Sequence, residues 1–291
     1  MSVAPRPPVD VVVPFRGDTG QLAALHERLG RLRLAAGDSL LVVDNTPGRE
    51  PSGFAEGSVL RAGEIATPAY ARNRGAAEGN ADWIAFLDAD VSPEPDLLDR
   101  LFDPPPAERT ALLAGGVTDE QVPPGGRPAG RYAYLRGAMS QDDSMRPGRW
   151  GYPKTANAAF RRTAFDEVGG FRAQLRAGED ADLAYRLRDA GWETERREGA
   201  AVVHRNRPTL RGYLAQKVVH GAGAAWLDRH HPGSVDPRRR LPGLTLWGVR
   251  SAARGLARAR DRDAVLWAIM EPLELIAWEL GRRRSNERGR R

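Results

Sequence analysis

Two carboxylates that follow an apolar run are the clearest chemical feature of this sequence. The run from Trp83 to Leu87 has no polar interruption, which is typical of a strand covered on both faces in a parallel sheet. Asp88, Ala89 and Asp90 come directly after it. Open α/β sheets bind ligands beyond the carboxyl ends of their strands. Mg²⁺ and Mn²⁺ prefer oxygen ligands such as carboxylates and substrate phosphates, so Asp88 and Asp90 indicate a metal site.

The same two acids have a simpler interpretation. They can be solvated residues at a strand end that precede a helix, because Ser92 suits a helix N-cap and Pro93 suits the first helical position. An Asp-x-Asp pair alone does not distinguish the two interpretations. A metal site becomes the better interpretation if neighbouring strands and helices place other polar residues beside Asp88 and Asp90.

Strands and helices alternate over about the first 100 residues. Apolar runs predict three strands before the central one, at Val9 to Pro14, Leu40 to Val43 and Ser58 to Arg61. Capping residues predict two helices between them, one from Asp18 or Thr19 to about Leu34 and one from Thr67-Pro68. This alternation is typical of βαβ units and predicts a mostly parallel sheet in an α/β fold.

Strand ends and helix starts of such a sheet lie at one edge, where several polar residues would meet. The first strand ends in three candidates for this edge, Pro14, Phe15 and Arg16. Asp44 ends the second strand and can accept a hydrogen bond from a base N–H, while Arg72, in the helix that Thr67 begins, can pair with a diphosphate. The N-terminus of that helix also suits phosphate. The sequence therefore predicts a nucleotide at this edge.

The segment from Thr118 to Gly151 is rich in Gly, Pro and Arg, and only a short part of it, Tyr132 to Leu135, has the composition of a regular element. A long irregular stretch inside a compact domain is typical of a lid or a disordered segment. Trp150 and Tyr152 at its end can stack on a sugar or a base, although anchoring the loop is the simpler role for each. Asn157, in the strand predicted next, is a third candidate contact for an acceptor.

Acidic residues and a histidine mark the remainder of the second half. A capping box from Thr163 to Asp166 predicts a short helix. Glu179 and Asp180 open a later helix, where the macrodipole by itself favours acids. A β-ribbon from Glu193 to Val203 ends at His204, and a lone histidine at a strand end is more typical of a satisfied polar group than of a ligand.

Composition limits the classes of function. The chain has 291 residues, of which 41% are hydrophobic, which suits one large α/β domain with or without an appendage. It contains no cysteine, so disulfides, thiolate nucleophiles and Cys-bound metals are excluded. It has 42 Arg and only 2 Lys, and an Arg bias across the whole chain does not indicate a nucleic-acid site. The N-terminus has no apolar leader, so we expect a cytoplasmic protein.

The excess of positive charge lies in the C-terminal region. From Arg238 onward there are 14 Arg and 6 acidic residues, whereas the rest of the chain has 30 basic and 32 acidic residues. Acids and a proline interrupt the apolar stretch from Ala264 to Leu280, which argues against a membrane-spanning helix. This stretch carries an apolar stripe, Leu266, Ile269, Leu273, Ile276 and Leu280. A basic cluster follows it, ending in Arg288, Arg290 and Arg291.

Two roles are open for a helix with this stripe. It is expected either to pack on its own domain or on a sister subunit, or to bind the anionic inner surface of a membrane. A lipid-linked substrate would be found at such a surface.

Taken in order, these segments resemble the family 2 glycosyltransferases, which have the GT-A fold. The similarity extends from about Val9 to Leu227. It is carried by six short motifs: Val-Val-Val-Pro at Val11, Val-Val-Asp-Asn at Val42, Ala-Arg-Asn-Arg-Gly at Ala71, Phe-Leu-Asp-Ala-Asp at Phe86, Val-Gly-Gly-Phe at Val168 and Gly-Glu-Asp-Ala-Asp-Leu at Gly178. Each motif is degenerate alone, but their order and spacing make the resemblance specific.

The resemblance implies a domain organisation. A GT-A domain with a Rossmann-type sheet flanked by helices would cover residues 1–230, followed by a basic helical extension at 231–291. Within the domain, a nucleotide-sugar half would span about 9–117 and an acceptor half about 118–230.

The resemblance also implies a reaction. Such enzymes transfer a sugar, with inversion, from a nucleotide-diphosphate donor to an acceptor hydroxyl. Asp44 would contact the base and Arg72 would lie near the diphosphate. Asp88 and Asp90 would bind the ribose and a divalent cation, Mn²⁺ or Mg²⁺, with Asp90 the better candidate for the metal.

The remaining roles that the resemblance implies fall in the second half. The Glu-Asp motif supplies the general base, which points to Asp180 with Glu179 beside it. Some members use a histidine after the following strands as a further metal ligand, and His204 stands at that place. One departure is the second strand, which ends Asp44-Asn45-Thr46 where many members have two acids. The donor nucleotide therefore stays open, as does the acceptor, whether a glycan, a lipid-linked molecule or a small molecule.

Two other classes of function share part of this pattern. Asp88-Ala89-Asp90-Val91 also fits the nucleophile motif of haloacid-dehalogenase-like phosphatases, but those chains usually carry it near the N-terminus and follow it with a lysine and a late Gly-Asp-x-x-x-Asp. A non-catalytic sugar- or nucleotide-binding module of the same fold is the other alternative. Retention of Asp180 argues against the module, because binding alone needs no base. Metal-dependent turnover of a sugar nucleotide distinguishes the module from the transferase.

Overall fold

A mixed sheet of eight strands lies at the centre of the part of the chain that the computed structural model describes, residues 6–48 and 58–288. The strands are β1 (Val9–Phe15), β2 (Ser39–Asp44), β3 (Val59–Arg61), β4 (Trp83–Leu87), β5 (Val91–Pro93), β6 (Thr110–Asp119), β7 (Asn157–Arg161) and β8 (Glu193–His204). Their order across the sheet is β3-β2-β1-β4-β7-β6-β8-β5. The first four in this order are parallel, whereas β7 is antiparallel to both neighbours and β5 to β8. The predicted α/β fold is confirmed, and its purely parallel part is one half of the sheet.

Helices cover both faces of this sheet and continue beyond it. They are α1 (Thr19–Leu29), α2 (Pro68–Ala76), α3 (Leu97–Leu101), α4 (Pro128–Arg136), α5 (Arg162–Glu167), α6 (Glu179–Asp189), α7 (Leu210–His230), α8 (Leu241–Arg258) and α9 (Arg262–Gly281). The side chain of Asp18 accepts from the Gln21 N–H at α1, and that of Thr67 from the Tyr70 N–H at α2. Both predicted caps are confirmed, because a short polar side chain satisfies an N–H group that the start of a helix leaves unpaired.

The strands of the parallel half are buried on both faces, which explains their uninterrupted apolar composition. On one face, Val11 and Trp83 pack into a core with Leu25 of α1. On the other, Val12 and Phe86 pack into a second core with residues of α2 and α6. Successive side chains of a strand point to opposite faces, so a strand between two helical layers needs apolar residues at every position. The carboxyl ends of β1, β2 and β4 therefore emerge together at one edge.

The segment after Asp90 is a strand, and the helix start predicted there is wrong. Val91–Pro93 forms β5 and pairs with the end of β8, with its first residue opposite His204. The next helix, α3, begins only at Leu97. Pro93 is tolerated in this strand because β5 lies at the edge of the sheet, where one side needs no hydrogen-bond donors. The pairing brings His204 beside Asp90.

Three further elements differ from their predictions. α1 ends at Leu29 rather than about Leu34, because Gly30, a poor helix former, takes the C-cap position. α5 begins at Arg162 with no side-chain cap, so the capping box predicted at Thr163 is wrong. β8 is one long strand with a bulge against β6, rather than a β-ribbon.

A small third core joins the second half to the C-terminal helices. The segment predicted to be irregular contains α4, whose Tyr132 packs with Tyr213 of α7 and Met270 of α9. α7 and α9 approach so closely that a Cβ atom at Gly221 would lie 1.9 Å from the carbonyl oxygen of Trp278. Any side chain at that glycine would force the two backbones apart. α9 therefore packs directly on α7, on the other side of the domain boundary predicted at residue 230. The boundary itself stays a prediction.

Most of the apolar stripe predicted on α9 does not pack on this core. Leu266 does, but Ile269, Leu273 and Leu280 are exposed, and the inward face carries small and acidic residues such as Ala277 and Glu274. α9 thus packs on its own domain as expected, but mainly through the opposite face. None of the described helices combines the length and apolarity needed to cross a bilayer. Two arginines of the predicted basic cluster lie outside the described residues, Arg290 and Arg291.

Candidate functional site

A large cleft opens at the sheet edge where β1, β4 and β8 end. It has a volume of about 1920 Å³ and is lined by residues from both halves of the chain. It brings together most of the predicted site residues, namely Pro14, Phe15, Arg16, Arg72, Asp88, Ala89, Asp90, Tyr152, Glu179, Asp180 and His204. Three predicted residues lie off its wall: Asp44, Trp150 and Asn157.

Asp44, predicted to contact the base, lies behind the wall of the cleft. It is 1% exposed, and its carboxylate accepts from the Thr46 N–H at 2.9 Å and pairs with Arg61 at 2.5 Å. Its neighbour Asn45 lines the cleft and donates to the Ile65 carbonyl at 2.8 Å. In this arrangement Asp44 holds the turn after β2, and its contact with a base stays a prediction.

Asn157 and Trp150 also have structural roles in this arrangement. Asn157 is fully buried, and its amide donates to the carbonyl of Ala200 at 2.7 Å, which ties β7 to β8. Trp150 packs edge-on against Tyr185, with ring centroids 5.0 Å apart. Of the three residues predicted to contact an acceptor, only Tyr152 lies on the cleft wall, and its role stays a prediction.

Arg72 joins the two acidic motifs of the cleft. From α2 its guanidinium donates to Asp88 after β4 at 2.6 Å and to Glu179 at the start of α6 at 2.8 Å. The residue is 3% exposed and lies over the ring of Phe171, 5.6 Å from its centroid. Burial opposes its charge, but the two carboxylates raise the pKa of Arg72 above its ordinary value. Its visible role is to hold Asp88 and Glu179 in a fixed relative position, and its contact with a diphosphate stays a prediction.

Asp180 has the properties of a base that works near neutral pH. It is the second residue of α6, which begins after Gly178 in the left-handed region with a φ of 79°. Burial, and then the charge of Glu179, raise the pKa of Asp180 to about 7. Burial, and then the charge of Asp180, raise the pKa of the hydroxyls of Tyr152 and Tyr185. Both tyrosines therefore lie near Asp180. A carboxylate that titrates near ambient pH is suited to accept a proton from a substrate hydroxyl.

Asp90 and His204 lie side by side where β4 and β8 end. The Nε2 atom of His204 is 3.4 Å from the Asp90 carboxylate, and its Nδ1 atom is 3.8 Å from that of Asp119. Burial opposes the charge of both partners, but their interaction lowers the pKa of Asp90 and raises that of His204. The pair therefore forms a polar end of the cleft next to Asp88.

The predicted metal ligands are brought together in part. Asp90 and His204 are adjacent, whereas the Asp88 carboxylate is engaged by Arg72. Among the described residues, no three His, Asp or Glu side chains are arranged to hold a metal ion by themselves. The Nδ1 atom of His204 is buried without a hydrogen-bond partner in the described part of the chain. Mg²⁺ commonly takes one or two carboxylates and completes its shell with substrate phosphates, so this donor set fits a cation that binds together with a phosphate-bearing substrate.

Several arginines that line the cleft belong to none of the motifs, among them Arg28 and Arg205. Arg28 of α1 donates to the carbonyl of Ala89 at 2.7 Å, and the backbone N–H of Arg205 donates to the carbonyl of Asp90 at 2.8 Å. Both residues line the cleft at its Asp-x-Asp end. The position of Arg205 directly after His204 is the sequence signal that could have placed it there.

Lysine usage is a second signal that sequence reasoning missed. The chain has 42 Arg and 2 Lys, and both lysines, Lys154 and Lys217, line the cleft. Lys154 is close enough to Asp180 for their charges to interact. Lysine carries a compact point charge on a flexible stem, whereas arginine is a wide planar fork. One of the two lysines, Lys154, therefore lies near the candidate base, and the other, Lys217, pairs with Glu274 on the same cleft.

Comparison with known proteins agrees with this geometry. A family model described as Glycosyl transferase family 2 matches residues 58–169. The Pre-mycofactocin glycosyltransferase of Mycobacterium tuberculosis is 31% identical over 266 residues, which are 87% of this chain and 56% of that protein. Glycosyltransferase AglE of Haloferax volcanii is 31% identical over 182 residues, 61% of this chain and 56% of that protein. This chain therefore spans about half the length of the curated relatives it matches.

A solved structure is similar in fold. Mannosyltransferase PcManGT from Pyrobaculum calidifontis, in complex with GDP-Man and Mn²⁺, aligns with a TM-score of 0.62 and covers 94% of this chain and 86% of that chain. The sequence identity is 18%, so this likeness concerns the fold alone. The motifs, the cleft that collects them and these similarities support the identification of this chain as a family 2 glycosyltransferase with a GT-A-like fold.

Proposed function

We propose that this chain moves a sugar from a nucleotide-diphosphate donor to an acceptor hydroxyl by a single displacement that inverts the anomeric carbon. The observation that carries the proposal is the Arg72 bridge, which joins Asp88 of the Asp-x-Asp pair to Glu179, the neighbour of Asp180, in one cleft. A displacement of this kind needs a donor-side acid pair and a base held in fixed geometry. The similarity to family 2 glycosyltransferases argues against the phosphatase alternative for Asp88.

Asp180 is the proposed base. The acceptor hydroxyl attacks the anomeric carbon and loses its proton to a carboxylate, while the nucleoside diphosphate leaves. With a pKa of about 7, Asp180 is partly ionised at neutral pH and takes up a proton readily. Glu179 contributes by raising that pKa, and Arg72 holds Glu179 in place.

Asp90, His204 and Asp88 are the proposed ligands of Mn²⁺ or Mg²⁺ at the donor diphosphate. When bound, such a cation supplies positive charge to the leaving group. Arg28 and Arg205 add fixed positive charge from the protein at the same end of the cleft. The wall beside β1 is proposed to contact the donor through Pro14, Phe15 and Arg16.

Calorimetric binding of nucleotides tests the donor site. The solved mannosyltransferase of similar fold contains GDP-Man and Mn²⁺, so we would compare GDP with UDP and dTDP. We expect one of the three to bind with Mn²⁺, and to bind at least about tenfold more weakly without Mn²⁺ or to Asp90→Asn. Asp143→Asn, an exposed acid outside the cleft, is the matched control. Failure of all three nucleotides to bind the wild type would overturn the donor proposal.

We also propose that the outward face of α8 and α9 binds an anionic membrane surface. Leu246 and Val249 of α8 are 52% and 65% exposed, and Ile269 of α9 is 43% exposed. A concentration of exposed apolar side chains marks an interaction surface. Exposed arginines lie on successive turns of α8, namely Arg250, Arg254 and Arg258. Their charge matches anionic lipid headgroups and disfavours a second copy of the same basic face.

A further inference from the structure

The cleft is larger than a nucleotide-sugar needs. Its volume of about 1920 Å³ compares with roughly 300–1000 Å³ for typical small-ligand sites. The donor motifs line the part near β1 and β4, and the remainder is walled by α7, α9 and the connection between α7 and α8. We call this remainder the C-terminal chamber; its lining includes Gln216, Lys217, Val219, His220, Leu275 and Trp278.

Polar groups connect the C-terminal chamber to the proposed base. Lys154 is close enough to Asp180 for their charges to interact, and His220 is within reach of both Lys154 and Lys217. The His220 ring is open to the cleft, and desolvation by the surrounding protein, then the charges of the two lysines, lower its pKa. A neutral imidazole can donate one hydrogen bond and accept another.

His220 faces the chamber without a partner, in contrast to the groups around it. Its ring lines the cleft and makes no hydrogen bond within the described part of the chain. Lys217 is fixed by Glu274 at 2.8 Å, and that carboxylate also accepts from the hydroxyls of Tyr132 at 2.8 Å and Tyr213 at 3.1 Å. The polar wall is thus held from α4, α7 and α9, while His220 keeps both ring nitrogens available to a ligand.

Apolar side chains form a further part of the chamber lining, namely Val219 of α7 and Leu275 and Trp278 of α9. They lie among polar residues that include Asp236, Arg239 and Glu279. Leu244 of α8 borders both the chamber and a smaller cavity of about 400 Å³ that reaches Trp247. Trp247 is exposed on the surface of α8. Leu244 and Trp247 therefore carry apolar surface from the cleft to the outside of the C-terminal helices, next to Arg239 and Arg240.

We propose that the acceptor is an amphipathic molecule and that it occupies the C-terminal chamber. Its hydroxyl-bearing end lies between Asp180 and His220, and its apolar body lies along Val219 and Leu275 toward Leu244. An apolar body gains stability by covering this lining, whereas a wholly polar acceptor would leave the lining uncovered. The inference rests on the proposed transferase function, because it uses the same base.

Binding of an apolar fluorescent probe tests the chamber. N-phenyl-1-naphthylamine is titrated into the wild type and into two variants of α9: Leu275→Gln, which alters the chamber lining, and Leu273→Gln, which alters the outward face. We expect Leu275→Gln to weaken probe binding by about tenfold or more, because a polar amide replaces an apolar surface that the probe would cover. Leu273→Gln should stay within about twofold of the wild type. Octyl β-D-glucoside should displace the probe, and methyl β-D-glucoside at the same concentration should not.

His220→Ala supplies a second variant that does not disturb the apolar lining. Probe affinity should be unchanged, while octyl β-D-glucoside should displace the probe at least about fivefold less effectively, because its hydroxyls lose a hydrogen-bond partner. Displacement equal to that of the wild type would remove His220 from the acceptor site and overturn the proposed orientation.

Other outcomes overturn the proposal as a whole. Equal probe binding by the wild type and Leu275→Gln would do so, as would equal displacement by the two glucosides. A loss confined to Leu273→Gln would place the probe on the outward face. Nucleotide binding with Mn²⁺, measured on the same samples, keeps the two proposals apart: if it persists while the probe results fail, the acceptor proposal is wrong and the donor site stands.

Discussion

The two parts of the cleft are built in different ways. The donor part consists of short motifs at strand ends whose side chains contact one another, such as Arg72 with Asp88 and His204 with Asp90. The C-terminal chamber consists of separate side chains from helices distant in the sequence, such as His220 and Leu275. Charged groups that act on one reaction must keep fixed distances, so the backbone that carries them is constrained. An apolar wall needs only a surface of suitable shape, so it has no recurring motif.

The largest effect is expected where the two parts meet. Asp180→Asn removes the proposed base and leaves the donor ligands in place, so transfer should fall about 10³-fold while nucleotide affinity changes less than about twofold. Release of nucleoside diphosphate from the sugar donor, with calorimetry on the same samples, measures both quantities. Weakened nucleotide binding with surviving turnover would instead assign Asp180 to the donor part.

The same variant should show a pH-dependent gain in stability. Asp180 keeps its proton up to about pH 7 in the folded chain, whereas an unfolded Asp ionises near pH 4. The folded state therefore holds more protons between these values and loses stability as the pH rises through them. Asparagine cannot ionise, so Asp180→Asn should be more stable than the wild type at pH 8, by as much as ~4 kcal/mol, and equally stable near pH 4. Thermal melts at both pH values test this, and identical melting at pH 8 would contradict the raised pKa.

Breaking the Arg72 bridge should show how far the donor part depends on contacts between its motifs. Arg72→Ala leaves Asp88 and Glu179 without their cation in a buried setting, so the free energy of unfolding should fall by about 3–5 kcal/mol. Arg74, on the same helix, is exposed, and its ion pair with Glu78 is long, at 3.8 Å. Arg74→Ala should therefore lower the free energy of unfolding by no more than about 0.5 kcal/mol. Urea unfolding compares the two. A similar loss in both variants would mean that the bridge does not hold the motifs together.

The smallest effect is expected for changes on the outward face of α8 and α9, which does not line the chamber. Val249→Asp combined with Ile269→Asp should reduce flotation with phosphatidylglycerol vesicles about fivefold, because both changes place charge on the apolar face. Nucleotide binding should be unaffected, and neutral phosphatidylcholine vesicles should bind the wild type weakly. Leu34→Asp, at a similarly exposed leucine elsewhere, is the control. Flotation that survives the double change would exclude this face as a membrane contact.

Local signals in the sequence predicted the elements that carry the donor part. The apolar run predicted β4 from Trp83 to Leu87, and the caps at Asp18 and Thr67 predicted where α1 and α2 begin. These features depend on residues a few positions apart, so they are visible in the chain itself. The helix start predicted at Ser92 fails because β5 pairs with a strand about a hundred residues later. A non-local partner can override a local signal of this strength.

The sequence by itself determined the α/β order of the chain and the residue types of the donor motifs, because reaction chemistry and backbone periodicity demand them. The tertiary structure alone decided that Arg72 bridges two acids and that Asp44 lies behind the cleft wall. It also decided that α9 buries Glu274 and exposes Ile269, and that the C-terminal helices wall the second half of the cleft. Each of these depends on which side chains from distant segments meet when the helices pack on the sheet, and spacing along the chain does not record such meetings.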